Sequence, residues 1–126
     1  MREYKFRCWD TKNKEMLEVQ ELDYKDSYNG EPMIRTTMYN DYFDTEDMIL
    51  MQYTGLKDKN GKEIYEGDIV YIMPEDERGI IRWDNETARY VVIYDNIISD
   101  FDNWYGKDLE VIGNEFDNPE LLEKGE

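Results

Sequence analysis

The sequence predicts a mainly β fold, built as a small antiparallel barrel-like domain or as two sheets, with an N-terminal hairpin, a capping turn and a short C-terminal helix. Two observations predict it. Short runs at residues 69–73, 80–83 and 89–94 concentrate Val, Ile, Tyr and Trp, whose branched or flat side chains suit a pleated, half-buried surface. Polar stretches containing Asn, Asp, Gly or Pro separate those runs at short intervals, as the reversals of an antiparallel meander require.

From the start of the chain, Tyr4, Phe6 and Cys8 alternate with Lys5, Arg7 and Trp9, the period-two pattern of a strand with one buried face. The turn-prone stretch 10–15 then returns the chain into residues 16–22, closing a hairpin. Between Asp23 and Asp47 the pattern weakens, and only 32–38 has strand character. We read this stretch as a long loop whose Tyr24, Tyr28, Tyr39, Tyr42 and Phe43 form a packing lid or a partner surface.

Met48-Ile49-Leu50-Met51 is a continuous apolar run of the length of a buried strand. It leads through Gly55 to Asn60-Gly61, two residues that tolerate positive φ and so suit a tight reversal. Glu66-Gly67-Asp68 is a further turn, with Asp68 placed to accept backbone amides where the next strand begins. Three successive strands over 69–94 make a meander. Ile97, Ile98, Phe101 and Trp104 are spaced for a helical turn or apolar loop capping the sheet, and residues 109–112 read as a closing strand ended by Gly113-Asn114. Asn118-Pro119-Glu120 supplies an N-cap, a proline at the first helical position and an early acid, the signals of a short helix. One domain of 126 residues is expected, with the option of an N-terminal hairpin subdomain at 1–47 and a main β domain at 48–126.

Composition narrows the function. The 31 acids against 15 bases give a net charge of -16, a field that repels nucleic acids and anionic membrane surfaces. That charge serves solubility, or a face for a basic protein partner. Cys8 is alone, so no intramolecular disulfide forms and a buried structural thiol is expected. No apolar leader or run of membrane-spanning length occurs, which points to the cytoplasm.

Histidine is absent, which removes the usual general base, the Ser-His and Cys-His nucleophile pairs and the commonest transition-metal ligand. One cysteine excludes a structural zinc site of the usual kind, and no Gly-rich phosphate loop is present. Acidic groups at Asp41, Asp44, Glu46 and Asp47, at Glu75, Asp76 and Glu77, and at Asp100 with Asp102 offer oxygen ligands for a hard cation, but such clusters arise readily in so acidic a chain. No cofactor is implied.

Three separated blocks resemble the YopX family of phage and prophage proteins. They are Lys5-Phe6-Arg7-Cys8-Trp9-Asp10 with Lys14 and Met16, the long stretch 51–70, and residues 109–114 with Asn118-Pro119-Glu120-Leu121-Leu122. The resemblance implies a β-dominated fold, a phage origin in a bacterial host and homo-oligomers, and it brings no catalytic residues. We therefore expect a noncatalytic protein-binding or assembly module of the bacterial cytoplasm that touches neither nucleic acid nor membrane directly. Its expected interaction surface is Tyr39, Tyr42, Phe43, Asp44, Glu46 and Asp47, while Gly55, Asn60, Gly61, Gly67 and Asp68 form a structural motif. The alternatives are an acidic DNA mimic that inhibits a host nucleic-acid-binding protein, and a metal-dependent hydrolase or nuclease.

Overall fold

A computed structural model describes residues 3–25, 27, 29–100 and 108–123. Of the residues singled out above, Tyr28, Phe101, Asp102 and Trp104 lie outside that set. The chain forms two compact units, one of Tyr4–Gln52 and one that begins at Tyr53.

The first unit is an antiparallel sheet of β1 (Phe6–Asp10), β2 (Glu15–Asp23), β3 (Met33–Thr36), β4 (Tyr42–Phe43) and the leading half of β5 (Met48–Lys57), in the order β4-β3-β2-β1-β5. The reversal between β1 and β2 is organised by one carboxylate. Asp10 Oδ1 accepts the amides of Lys12 and Asn13 at 3.0 and 3.1 Å, and Oδ2 accepts Asn13 Nδ2 at 2.9 Å. This leaves Asp10 paired opposite Glu15 and sets Cys8 opposite Leu17 on one side and Leu50 on the other. Cys8, Leu17, Ile34 and Met48 then gather into a core, with Val19, Leu22, Tyr39, Phe43 and Leu50 around them. Each fully buried side chain of this size contributes roughly 1.5–3 kcal/mol relative to exposure. The simple alternation expected of β1 does not hold, because Cys8, Trp9 and Asp10 are all buried: Asp10 turns inward to serve the reversal, and Trp9 is covered as well.

β3 stops at a hydroxyl. Thr36 is buried, and its Oγ1 accepts the amides of Met38 and Tyr39, both at 3.3 Å, which draws the chain out of the ladder. Asp44 does the same after β4 by accepting the amides of Glu46 and Asp47, and the chain then enters β5. The weak stretch thus holds two short strands, β3 and β4, where a single one was expected. β5 is not buried along its whole apolar run: Met48 and Met51 are buried while Ile49 is exposed.

The second unit contains the rest of β5, β6 (Glu63–Tyr65), β7 (Asp68–Ile72), β8 (Glu77–Asp84), β9 (Arg89–Tyr94), β10 (Ile97–Asp100) and β11 (Leu109–Asn114). β5 and β6 pair at Tyr53 with Tyr65 and at Lys57 with Glu63, with a bulge between. Gly55 sits in that bulge at φ 92°, a backbone region where a Cβ is strained. Five strands run β10-β9-β8-β7-β11, so the predicted meander is present and β11 returns beside β7. Ile64, Val70, Ile72, Ile81, Val92 and Leu109 form a core with less than 1% of their surface exposed.

The structure decides between the two expected architectures and corrects two finer expectations. First, the two-sheet form is the one observed and not a closed barrel, since closure needs the end strands to pair and, among the described residues, β10 and β11 each pair with a single strand. Second, Ile97 and Ile98 belong to β10 instead of a capping helical turn. Asp95 and Asn96 take φ of 47° and 62°, the two-residue reversal that sets Tyr94 opposite Ile97. Third, the expected C-terminal helix is a single 3-10 turn, Pro119–Leu122, with no side-chain cap. Asn118 is engaged elsewhere: its Oδ1 accepts the Asn114 amide at 3.2 Å and lies where any Cβ on Gly113 would have to sit.

Candidate functional site

The residues expected to form an interaction surface divide into three structural roles. Tyr39 and Phe43 pack on the first core, ring centroids 5.9 Å apart in an edge-on arrangement. The Tyr39 hydroxyl donates to Glu15 at 3.1 Å and accepts from Asn13, and the bond to Glu15, ahead of partial burial, holds its pKa above the usual phenol value. Asp44 and Asp47 serve the backbone. Asp44 caps the turn as above, and the Asp47 carbonyl accepts both the amide and the hydroxyl of Thr11. Glu46 is exposed.

Tyr42 differs from these. β-register sets Glu21 opposite Arg35 and Arg35 opposite Tyr42, so the three make one row across β2, β3 and β4. Glu21 takes the Tyr42 hydroxyl on Oε1 at 2.6 Å and the Arg35 guanidinium on Oε2 at 2.8 Å, while Arg35 lies 5.8 Å from the Tyr42 ring centre. The Tyr42 hydroxyl, then Arg35, hold the Glu21 carboxyl below its ordinary range, and the same bond raises the Tyr42 phenol. An aromatic ring that is 41% exposed is thereby fixed in one orientation. Glu21 and Arg35 were not singled out in the sequence, because nothing short of the strand register reveals that they flank Tyr42.

The structural motif of the central block is also resolved into roles. Asp58 Oδ1 accepts the amides of Asn60 and Lys62, both at 2.9 Å, and Oδ2 accepts the Val111 amide at 2.9 Å from β11. Burial pushes the Asp58 carboxyl up, but those amides outweigh it and the net shift is downward; Asp10 behaves alike, with Asn13 the main partner. At the reversal Gly61 takes positive φ, 82°, and Asn60 does not, so this turn is not the two-residue form in which both residues are left-handed. Gly67 has φ 89° just before β7, where Asp68 is buried and accepts the Tyr65 amide at 2.7 Å.

These bonds give five of the 31 acids a local structural role. Asp10, Asp23, Asp44, Asp58 and Asp84 each accept backbone amides two to four residues ahead, the short-range closure that begins a turn. Among the described residues no group of three or more Cys, Asp or Glu side chains is gathered into a metal-binding set. Cys8 is fully buried with its Sγ 3.8 Å from Met48 Sδ, and burial, reinforced by Asp10, pushes its thiol up to about 11.

A groove of about 970 Å³ lies in the second unit. Its walls are the β7–β8 turn, the end of β9 and the 3-10 turn, and Arg78 Nη1 bonds the Leu121 carbonyl at 3.2 Å to hold the last of these in place. Tyr71, Ile93, Tyr94, Leu121 and Leu122 supply its apolar surface. Carboxylates at Asp76, Glu77, Asp95, Glu120 and Glu123 stand around it.

Comparison with known proteins places this two-sheet architecture. Residues 5–123 match the YopX protein family. The chain belongs to that family. The crystal structure of protein EF1440 from Enterococcus faecalis is 34% identical, with 98% of this chain and 100% of that one covered at a TM-score of 0.67. Protein yopX from Bacillus subtilis has the same fold at 21% identity, with both chains covered in full and a TM-score of 0.62. None of the curated proteins matches the chain. Among the described residues no helix is long and apolar enough to cross a membrane.

Proposed function

We infer that this YopX-family chain is a noncatalytic protein-binding or assembly module, encoded by a phage and acting in the cytoplasm of its bacterial host. One observation carries the reading: the Tyr42 ring is held ready at the surface by Glu21 and Arg35. Tyrosine and arginine are the residue types that anchor protein interfaces, and a side chain already immobilised loses little entropy when a partner arrives. Tyr39 and Phe43 support the strand that carries Tyr42 and act through it.

The test replaces Tyr42 alone, since polar residues at Tyr39 or Phe43 would breach the core. Bacterial lysate is passed over immobilised wild type and Tyr42→Ser, and retained proteins are quantified. A protein held by wild type and lost from Tyr42→Ser supports the reading. Identical sets from both sink it.

A further inference from the structure

We propose that the groove between the β7–β8 turn and the 3-10 turn receives an extended segment of a protein partner in which lysine or arginine alternates with apolar residues. The proposal rests on the binding-module reading and on a different surface from Tyr42. Its ligand chemistry follows from the lining. Five carboxylates face one guanidinium, and that guanidinium is directed at the Leu121 carbonyl. An anion would be repelled at such a site, and a cation attracted.

A free metal ion would find no use for the rest of the groove, which is built from Tyr71, Ile93, Tyr94, Leu121 and Leu122. Apolar area of this kind rewards an occupant with hydrocarbon of its own. Lysine and arginine satisfy both demands, laying their methylene stems on an apolar floor while the charged head reaches a carboxylate at the rim. Tyr71 and Tyr94 add ring faces, which attract cations. Tyr71 is further held by its hydroxyl, which donates to Asp76 at 2.7 Å and keeps that wall of the groove in place. Burial, then Glu75, Glu77 and Asp95, hold the Tyr94 phenol above its ordinary value, in keeping with a negative potential at this end of the sheet. The volume, about 970 Å³, accommodates several side chains.

The probe is a fluorescein-labelled heptapeptide of alternating lysine and leucine, titrated by anisotropy against the full chain at low and at physiological salt. Two companions separate the contributions: alternating lysine and serine, which keeps only charge, and alternating serine and leucine, which keeps only the apolar surface. The groove variant Glu77→Gln, Asp95→Asn, Glu120→Gln removes three charges at the site. The control variant Glu18→Gln, Asp41→Asn, Glu86→Gln removes three exposed charges elsewhere.

The expected result is that the lysine-leucine peptide binds best, and that the groove variant weakens it by about tenfold or more while the control stays within about twofold. Amide shifts of the labelled wild-type chain on adding the peptide should centre on Tyr71, Ile93, Tyr94 and Leu121, a readout that needs no variant. Equal weakening by both variants, or shifts spread over the acidic surface, would overturn the groove as the site while leaving a charge-driven binder. No binding of the lysine-leucine peptide would overturn the proposal outright. The Tyr42→Ser comparison stands apart from either result.

Discussion

The two units solve the same problem, covering one face of a short-stranded sheet, with different materials. The unit that begins at Tyr53 fills its core with Ile64, Val70, Ile72, Ile81, Val92 and Leu109, nearly all β-branched. The unit of Tyr4–Gln52 uses Cys8, Leu17, Ile34 and Met48, bordered by Tyr39 and Phe43. Branched side chains are stiff and interlock in one way, whereas sulfur-bearing and unbranched ones adapt to irregular gaps. The first kind of core suits a regular meander. The second suits a sheet whose later strands are as short as the two residues of β4.

The largest test of that contrast is a pair of core substitutions followed by denaturant unfolding. Ile81→Ala should cost about 2–5 kcal/mol because rigid neighbours cannot collapse into the space. Met48→Ala should fall at the low end of that range, because adaptable neighbours can close on the space. Equal losses would remove the distinction between the cores.

Next in size come the carboxylates that hold turns in each unit. Asp58→Ala strips the acceptor from three amides and should cost about 1–3 kcal/mol. Asp58 and Asp10 both have folded-state pKa values below the ordinary carboxylate value of 3.8. Their charged forms are therefore favoured by folding: the stability they confer is complete above the unfolded pKa and is lost as pH falls through the folded one. Unfolding measured from neutral pH downward should show stability dropping below about pH 4, and the drop should be shallower in Asp58→Ala. A parallel pH curve for the variant would refute this role.

Smaller effects distinguish the turns. Gly61→Ala should cost about 1–2 kcal/mol from backbone strain alone, as an added Cβ meets nothing within 4 Å. Asn96→Gly should change stability by less than about 1 kcal/mol, toward gain, because glycine takes the left-handed region freely. A clear loss there would mean that the Asn96 side chain contributes a contact that glycine cannot replace.

How much could be read in advance differs between the units for the same reason as their cores. Residues 89–94 coincide with β9 because β-branched and aromatic content marks a strand without help from its neighbours. β4 and β6 were missed, being only two and three residues long and formed by pairing to a stronger strand. β10 was misread because Asp95-Asn96 reverses the chain without a glycine to advertise it. The candidate surface was legible as residue types but not as arrangement: Tyr42 could be named, whereas Glu21 and Arg35 became its neighbours only through the register of three strands. The groove joins β7, β8, β9 and the 3-10 turn, and no local pattern announces such a meeting.

Cys8 has a practical consequence. It is the one thiol of the chain, it is sealed beneath the first sheet, and its proton is held up to about 11, so a thiol-labelling reagent can reach a reactive sulfur only when that unit opens. Labelling speed at neutral pH therefore times the openings that uncover the core of residues 4–52. The molecule carries its own stopwatch for one half, against which any loosening by a partner, a substitution or acid can be clocked without adding a probe.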